Sequence, residues 1–468
     1  MGSVGLSFGS PTSGQGFDVT STVQQIVTNL QAVETPWKNQ LSTLQSQDTA
    51  LTGIGTDLSS LSTALNSLND FEGVFSEKEG SSSDTSVIAL TGATSAAAAG
   101  THSIAVSQLA QNYSYTSGNI GSNDTLSGSL TIDGQTITLS DGTVQDANGA
   151  FIPENDTLST LASYINEGNY GVQASVVTDS SGNNQLALVS TTSGAAGAVS
   201  IDASKLTDSA TGAVSFSQAQ QGKDAAFTVD GVSTTSSSNT VTTAIPGVTM
   251  QLLDTSSAPI QVEITNDNAD VETAVTNFVT AYNQVVADLK TQEGNDSSGN
   301  PEPLFGSTTV ALLQEQLEDA MNFTQSSGAI TSLSQLGITA SSSDDGTLTV
   351  DASTLDSMLN SNFQDAMNFF QSGSTTTTFG QNLTSVLSNL SNSAPDGAIY
   401  LALQQDSTQE TALNQNITKQ ESLISAQQTQ LTTELNEANY TLQAIPSQID
   451  EVNELYSAIT GYNQNANG

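Results

Sequence analysis

Apolar residues recur every seven positions at both ends of this chain. Val23, Leu30, Trp37, Leu44, Leu51, Leu58 and Leu65 form one series, and Ile26, Val33, Ile54, Leu61 and Leu68 follow its members by three. Near the other end Ile417, Ile424, Leu431, Ala438, Ile445, Val452 and Ile459 repeat the spacing, with Leu435, Leu442, Ile449 and Tyr456 four residues on. A sustained three-four alternation lays an apolar stripe along one side of a helix. Such a stripe must be buried against another helix. The simplest partners are the opposite terminus and the same segment of another copy. Gln40, Gln47, Glu421 and Gln428 interrupt the stripes, so each coil is weak alone and is expected to order fully in an assembly.

Charge narrows the function. The 468 residues hold 47 acidic and 6 basic side chains, a net charge of −41. The basic residues are Lys38, Lys78, Lys205, Lys223, Lys290 and Lys419, and arginine is absent. Nucleic-acid binding needs cations to neutralise phosphates, so it is excluded, and anionic membrane surfaces repel the chain for the same reason. Self-repulsion also requires that association bury apolar surface. With no cysteine, disulfides, zinc thiolates and cysteine nucleophiles drop out. Met1 to Phe17 has neither a basic nor an apolar segment of a secretory signal, and no apolar run reaches the roughly 18 residues of a membrane-spanning helix. A Ser/Thr-rich surface suits an exported protein, so export without a cleaved signal is expected.

The period changes along the chain. A helix is expected over Ser21–Leu68, interrupted at Pro36 and at Gly53 and Gly55. Glu79–Asp84 reads as a loop, and Val87–Thr91 and Ser103–Leu109 as strands. From Asn112 to Ile264 the period is two. Asp133-Gly134, Asp230-Gly231 and the run Asp179–Asn184 mark hairpins. Thr157–Asn166 reads as a short helix capped by Asn155 or Asp156. Helical spacing returns over Ala269–Gln292, Val310–Phe323 and Ser353–Phe370, then from Leu383 onward. Pro446 is expected to kink or split the last helix.

Candidate chemistry is sparse. Gly5-Leu-Ser7-Phe-Gly9 has the spacing of a nucleophile elbow but lacks the strand, helix and partner histidine that the motif needs. The single histidine, His102, reads as an ordinary strand or loop residue. Asp179–Asn184 and Asn295–Asn300 are oxygen-rich, yet neither has calcium-loop spacing, and turn chemistry explains both. No phosphate loop or carboxylate pair stands out. The chain is expected to be no enzyme and to need no cofactor or metal.

The chain resembles a known family at points spread over its length. Gly16-Phe-Asp18-Val19-Thr-Ser21-Thr-Val23 before a long helix resembles the opening of the flagellar filament cap proteins, the hook-associated protein 2 family. Ala99-Gly100 through Val106 to Gln111 resembles the end of their first conserved block. Leu130–Ser190 resembles the insertion motif that flagellins share with hook-associated proteins. Leu336-Gly337-Ile338, Asp345-Gly346 through Asp351, Leu355 and Phe369-Phe370 resemble the C-terminal block.

That resemblance implies an α+β multidomain protein with a terminal helical coiled-coil stalk, an α+β inner domain and β-rich outer domains. The expected partition is 1–40 with 413–468 as leg, 41–110 with 269–412 as inner domain, and 111–200 and 201–268 as outer domains, with interleaving of these two left open. The expected assembly residues are Val23, Ile26, Leu30, Val33, Trp37, Leu44, Ile417, Ile424, Leu431, Leu435, Leu442 and Ile449. The resemblance further implies a homo-oligomeric ring of five subunits, with four to six compatible, at the filament tip. Its partners would be flagellin there and an export chaperone before secretion by the flagellar type III route. The protein would be extracellular, with no nucleic acid and no membrane insertion. Another axial protein, such as a junction protein or flagellin, or a secreted acidic adhesin, is the alternative.

Overall fold

A computed structural model describes residues 16–343, 345–371, 377–391 and 395–461. The chain opens with α1 (Val19–Gln31) and α2 (Thr35–Asn69). Strands β1 (Lys78–Ser82), β2 (Ile88–Ala93), β3 (Gly100–Gln108), β4 (Asn112–Ser117), β5 (Leu126–Ile132) and β6 (Gln135–Thr138) follow, then α3 (Leu158–Glu167). Next come β7 (Val172–Thr178), β8 (Asn184–Ser193), β9 (Ile201–Asp208), β10 (Gly212–Ala213), β11 (Phe216–Gln220), β12 (Ala225–Val229) and β13 (Val232–Ser236). Strands β14 (Thr240–Val241), β15 (Val248–Leu252) and β16 (Ile260–Asn266) lead into α4 (Asn268–Gln292) and α5 (Thr308–Met321). The hairpin β17 (Ile338–Ala340) and β18 (Leu348–Val350) precedes α6 (Ala352–Phe370), α7 (Phe379–Leu390) and α8 (Ala398–Thr460). The architecture is α+β, with helices at both ends and antiparallel sheets between. It divides into two compact units, Met1–Asn69 with Glu272–Gly468, and Asp70–Val271.

The first unit is helical. Leu51, Ile54, Leu58, Leu61, Leu65 and Leu68 of α2 are all buried, because their spacing returns them to one face. Four phenylalanines form an aromatic centre. Phe379 stacks on Phe369 at 5.1 Å and meets Phe278 and Phe370 edge-on at 6.0 and 5.8 Å. Gly53 and Gly55 do not interrupt α2, contrary to expectation. Each costs roughly 1 kcal/mol of helix propensity, and the buried leucines on either side outweigh that. The break falls instead at residues 32–34, and Pro36 sits in the first turn of α2, where its missing amide costs nothing. Pro446 does not split α8, which runs unbroken over 63 residues.

The second unit has two cores. In one, the sheet β1-β16-β3-β12-β13 and the sheet β14-β15-β2 bury Ile104, Val106, Phe227, Val262 and Ile264 together with Ile88, Met250 and Leu252. In the other, the sheets β10-β9-β5-β6 and β11-β4-β8-β7 bury Leu130, Ile132, Leu186 and Leu188 with Leu161 and Ile165 of α3. Asp133 and Asp230 take φ of 44° and 51°, each followed by a glycine with positive φ. These are the paired left-handed residues of a tight hairpin turn, at both expected places.

Several boundaries differ from the sequence expectation. Glu79–Asp84 is largely strand: β1 pairs with β16 from Lys78↔Asn266 to Ser82↔Val262. Backbone hydrogen bonds hold this polar edge, so apolar period never marked it. The cap of α3 is Thr157, whose hydroxyl accepts from Thr160 N. Asn155 is buried and ties the preceding loop, accepting from Ser140 N at 2.6 Å and donating to Thr138 O at 3.0 Å. The expected partition also departs from the observed cores. Strand β3 pairs with β12 and β16, so residues 78–108 join the strands of 225–266 and not the helices. Strands β9 to β11 share the core of 112–193, so 111–200 and 201–268 interleave, the arrangement the sequence left open.

Candidate assembly surface

The two termini meet in an antiparallel helical leg. Asp18 starts α1, its carboxylate accepting from Ser21 N at 3.1 Å. Val19, Val23 and Val27, spaced by four, then fall on one face and are buried. They form a cluster with Ile424 of α8, against which Phe17, Leu30, Leu431 and Leu435 pack half-buried. At the start of α1, Phe17 N donates to Asn439 Oδ1 at 2.9 Å. Beyond its end, Lys38 Nζ reaches Glu421 Oε1 at 3.1 Å. As the N-terminal chain advances from Phe17 to Lys38, its α8 partners step back from Asn439 to Glu421.

The expected assembly residues divide accordingly. Val23, Leu44, Ile417 and Ile424 are buried, and Leu30, Leu431 and Leu435 lie half-buried on the leg cluster. Ile26, Trp37 and Leu442 are half-buried. Val33 and Ile449 are exposed. Val33 lies in the turn between α1 and α2 and is exposed there, while the seven-residue series Val23, Leu30, Trp37, Leu44 and Leu51 stays buried or half-buried across the break. Val19 and Val27 lie outside the seven-residue series and so were not among the expected residues. Their signal was the four-residue spacing with Val23, read within α1 alone.

Among the described residues, no part of the N-terminal chain reaches the far end of α8. Ile449, Val452, Leu455, Tyr456 and Ile459 are 40%, 65%, 62%, 52% and 76% exposed. These residues lie beyond Asn439, where the described N-terminal chain begins. Isolated exposed apolar residues are ordinary, but a contiguous apolar face marks a surface awaiting a partner.

The candidate chemical groups are engaged in local structure. Asp179 accepts from Ser181 N, Asn183 N and Asn183 Nδ2 at 2.8, 2.9 and 3.0 Å. Asp296 repeats the pattern with Ser298 N, Asn300 N and Asn300 Nδ2 at 2.8, 2.8 and 3.2 Å. The asparagine donors hold both carboxyls below their usual range, so each loop satisfies its own acid. His102 Nδ1 lies 2.7 Å from Asp230 Oδ2, and Ser103 N donates to Asp230 Oδ1 at 2.8 Å. The histidine thus braces the β12–β13 turn. Gly5-Leu-Ser7-Phe-Gly9 lies outside the described residues. Among the described residues, no group of three or more His, Asp or Glu side chains could hold a metal, and no helix is long and apolar enough to cross a membrane.

Comparison with known proteins places this architecture. The profile of the flagellar hook-associated protein 2 N-terminus matches residues 15–113, and that of its C-terminus matches 222–452. The flagellin hook IN motif matches 129–192, the segment of β5 to β8. The B-type flagellar hook-associated protein 2 of Pseudomonas aeruginosa is 28% identical over 385 residues, covering 72% of this chain and 75% of that protein. The flagellar hook-associated protein 2 of Escherichia coli is 27% identical over 407 residues, covering 82% and 86%. The crystal structure of the flagellar cap protein FliD D1-D2-D3 domains from Escherichia coli shares the fold at a TM-score of 0.53 and 24% identity, covering 76% of this chain and 99% of that one. The N- and C-terminal matches, in order around the insertion motif, show that this chain belongs to the flagellar hook-associated protein 2 family.

Proposed function

We propose that the protein is the structural cap at the distal end of a bacterial flagellar filament. The observation that carries this reading is the leg of a family member whose outer end keeps an apolar face, Ile449 to Ile459, without a described partner. A chain of net charge −41 associates only where apolar burial outweighs repulsion, and this face supplies such a surface. The family match sets the reading above a junction protein, a flagellin or a secreted acidic adhesin.

In this reading residues 1–40 and 413–468 are the leg, and the residues named above make its packing and assembly contacts. Copies associate head to tail and close into a ring, the outcome of a heterologous contact whose rotation closes. Five subunits are proposed, with four to six compatible. The ring retains arriving flagellin and promotes its folding and polymerisation. Before secretion an export chaperone covers the terminal helices. The chain leaves by the flagellar type III route without a cleaved signal and works outside the cell. Its task is non-covalent and needs no catalytic group.

Negative-stain images and sedimentation of the purified protein test the proposal. Rings or paired plates are expected. A chain that stays monomeric at all accessible concentrations contradicts the ring.

A further inference from the structure

The joint between α1 and α2 contains a buried carboxylate. The Glu34 side chain is 1% exposed. Its Oε2 accepts from Lys38 Nζ at 2.9 Å, while its Oε1 is buried without a hydrogen-bond partner. The same ammonium reaches across to Glu421 of α8 at 3.1 Å. One cation therefore compensates the buried acid and fastens the joint to the long helix. Lys38 and Glu421 are each about half exposed, at 51% and 53%, so water and salt reach the outer half of the bridge.

Three further features make this joint mechanical. Residues 32–34 form a hydrogen-bonded turn that interrupts the helix between α1 and α2. Helix α1 has only 13 residues, too few to be stable undocked. Its buried contacts, Val19, Val23 and Val27 with Ile424, form a cluster of their own. We propose that residues 32–34 are a hinge and that Glu34–Lys38–Glu421 is its ionic latch, releasing α1 from α8 as a unit while the rest of α2 stays packed. Breaking the bridge from the Lys38 side leaves the Glu34 charge buried and uncompensated, which strongly destabilises a folded site. The joint then opens to hydrate the acid. Opening uncovers Val19, Val23, Val27 and Ile424 together.

Hydrogen exchange of the full chain, read by mass spectrometry, tests the latch. Lys38→Met should speed exchange of residues 19–31 by about tenfold, with residues 51–68 unchanged, because a local opening exchanges independently of the global one. Glu34→Gln combined with Lys38→Met removes the buried charge and should return that exchange to within about threefold of wild type. In the wild type, raising salt from low to high should speed the same segment, and Glu421→Gln should weaken that salt dependence. Unchanged exchange of 19–31 in Lys38→Met overturns the latch. Equal loosening in the double variant shows that the lysine stem and not its charge held the joint, and also overturns it. Residues 51–68 opening together with 19–31 overturns the hinge.

Discussion

Phe17 donates its backbone amide to Asn439 Oδ1 at 2.9 Å, across 422 positions of sequence. This contact sets the antiparallel register of the leg, since Gly16 beside it leaves no room for a side chain. A Cβ there would fall 2.1 Å from Asn439 Oδ1, and Gly16 has a φ of 59°.

Asn439→Leu keeps the volume and removes the acceptor. The expected cost is about 1 kcal/mol, that of one hydrogen bond, confined to the leg. Exchange of the first turn of α1 should accelerate, while the denaturation midpoint of the helical core stays constant. Unchanged exchange at Phe17 to Ser21 contradicts the assigned register.

Acid should stabilise the helical unit before it destabilises the protein. Burial, with Asp288 of α4 beside it, pushes the Asp57 carboxyl up to about 6. Asp406 of α8 is also raised, by burial and by Asp48. A carboxyl whose folded pKa exceeds its unfolded value binds protons on folding, so its contribution is full below the unfolded pKa and is lost as pH rises through the folded one. For Asp57 that window runs from about 4 to 6. The carboxyls held low, among them Asp179, Asp230, Asp296 and Asp351, act oppositely and lose their contribution as pH falls below about 4. Urea midpoints should therefore rise from pH 7 to pH 5 and fall below pH 4. Asp57→Asn should raise the midpoint at pH 7 and reduce the gain between pH 7 and 5. An Asp57→Asn profile identical to wild type contradicts the raised Asp57 carboxyl.

Gly380 sits at a close approach of α7 to its neighbours in the helical core. An added Cβ would lie 2.0 Å from Phe370 O and 2.0 Å from Asn69 Oδ1. Gly380→Ala must push α7 off its neighbours and disturb the Phe369–Phe379 stack. A loss of about 1–3 kcal/mol is expected, the usual cost of overpacking, measured by chemical denaturation. A neutral substitution contradicts the packing at this helix start.

The terminal helices and the hairpins were legible because their signals are local. Val23, Ile26 and Leu30 share one short helix, and Asp133-Gly134 and Asp230-Gly231 specify their own turns. What stayed hidden was carried by distant partners. Strand β1 is polar and exists because β16 offers it an edge. Val106 finds Phe227 in β12, so no local pattern could assign β3 to its core. Gly53 and Gly55 looked like breaks because propensity is local and leucine burial is tertiary. Within the leg, a stripe reads the same whether its partner is in the protomer or not, so which apolar residues stay open, Val452 and Ile459 among them, was hidden.

The open face of α8 is the centre of the account. Val452 and Ile459 are 65% and 76% exposed, so aspartate at both should leave the protomer folded, since exposed substitutions away from packed features change stability by about 0.5 kcal/mol or less. The decisive measurement is motility of a cap-deficient strain expressing Val452→Asp with Ile459→Asp, alongside the thermal melt of the purified variant. The account predicts a wild-type melt, no rings and no restored swimming. A strain that swims normally on the double variant contradicts the claim that this face assembles the cap.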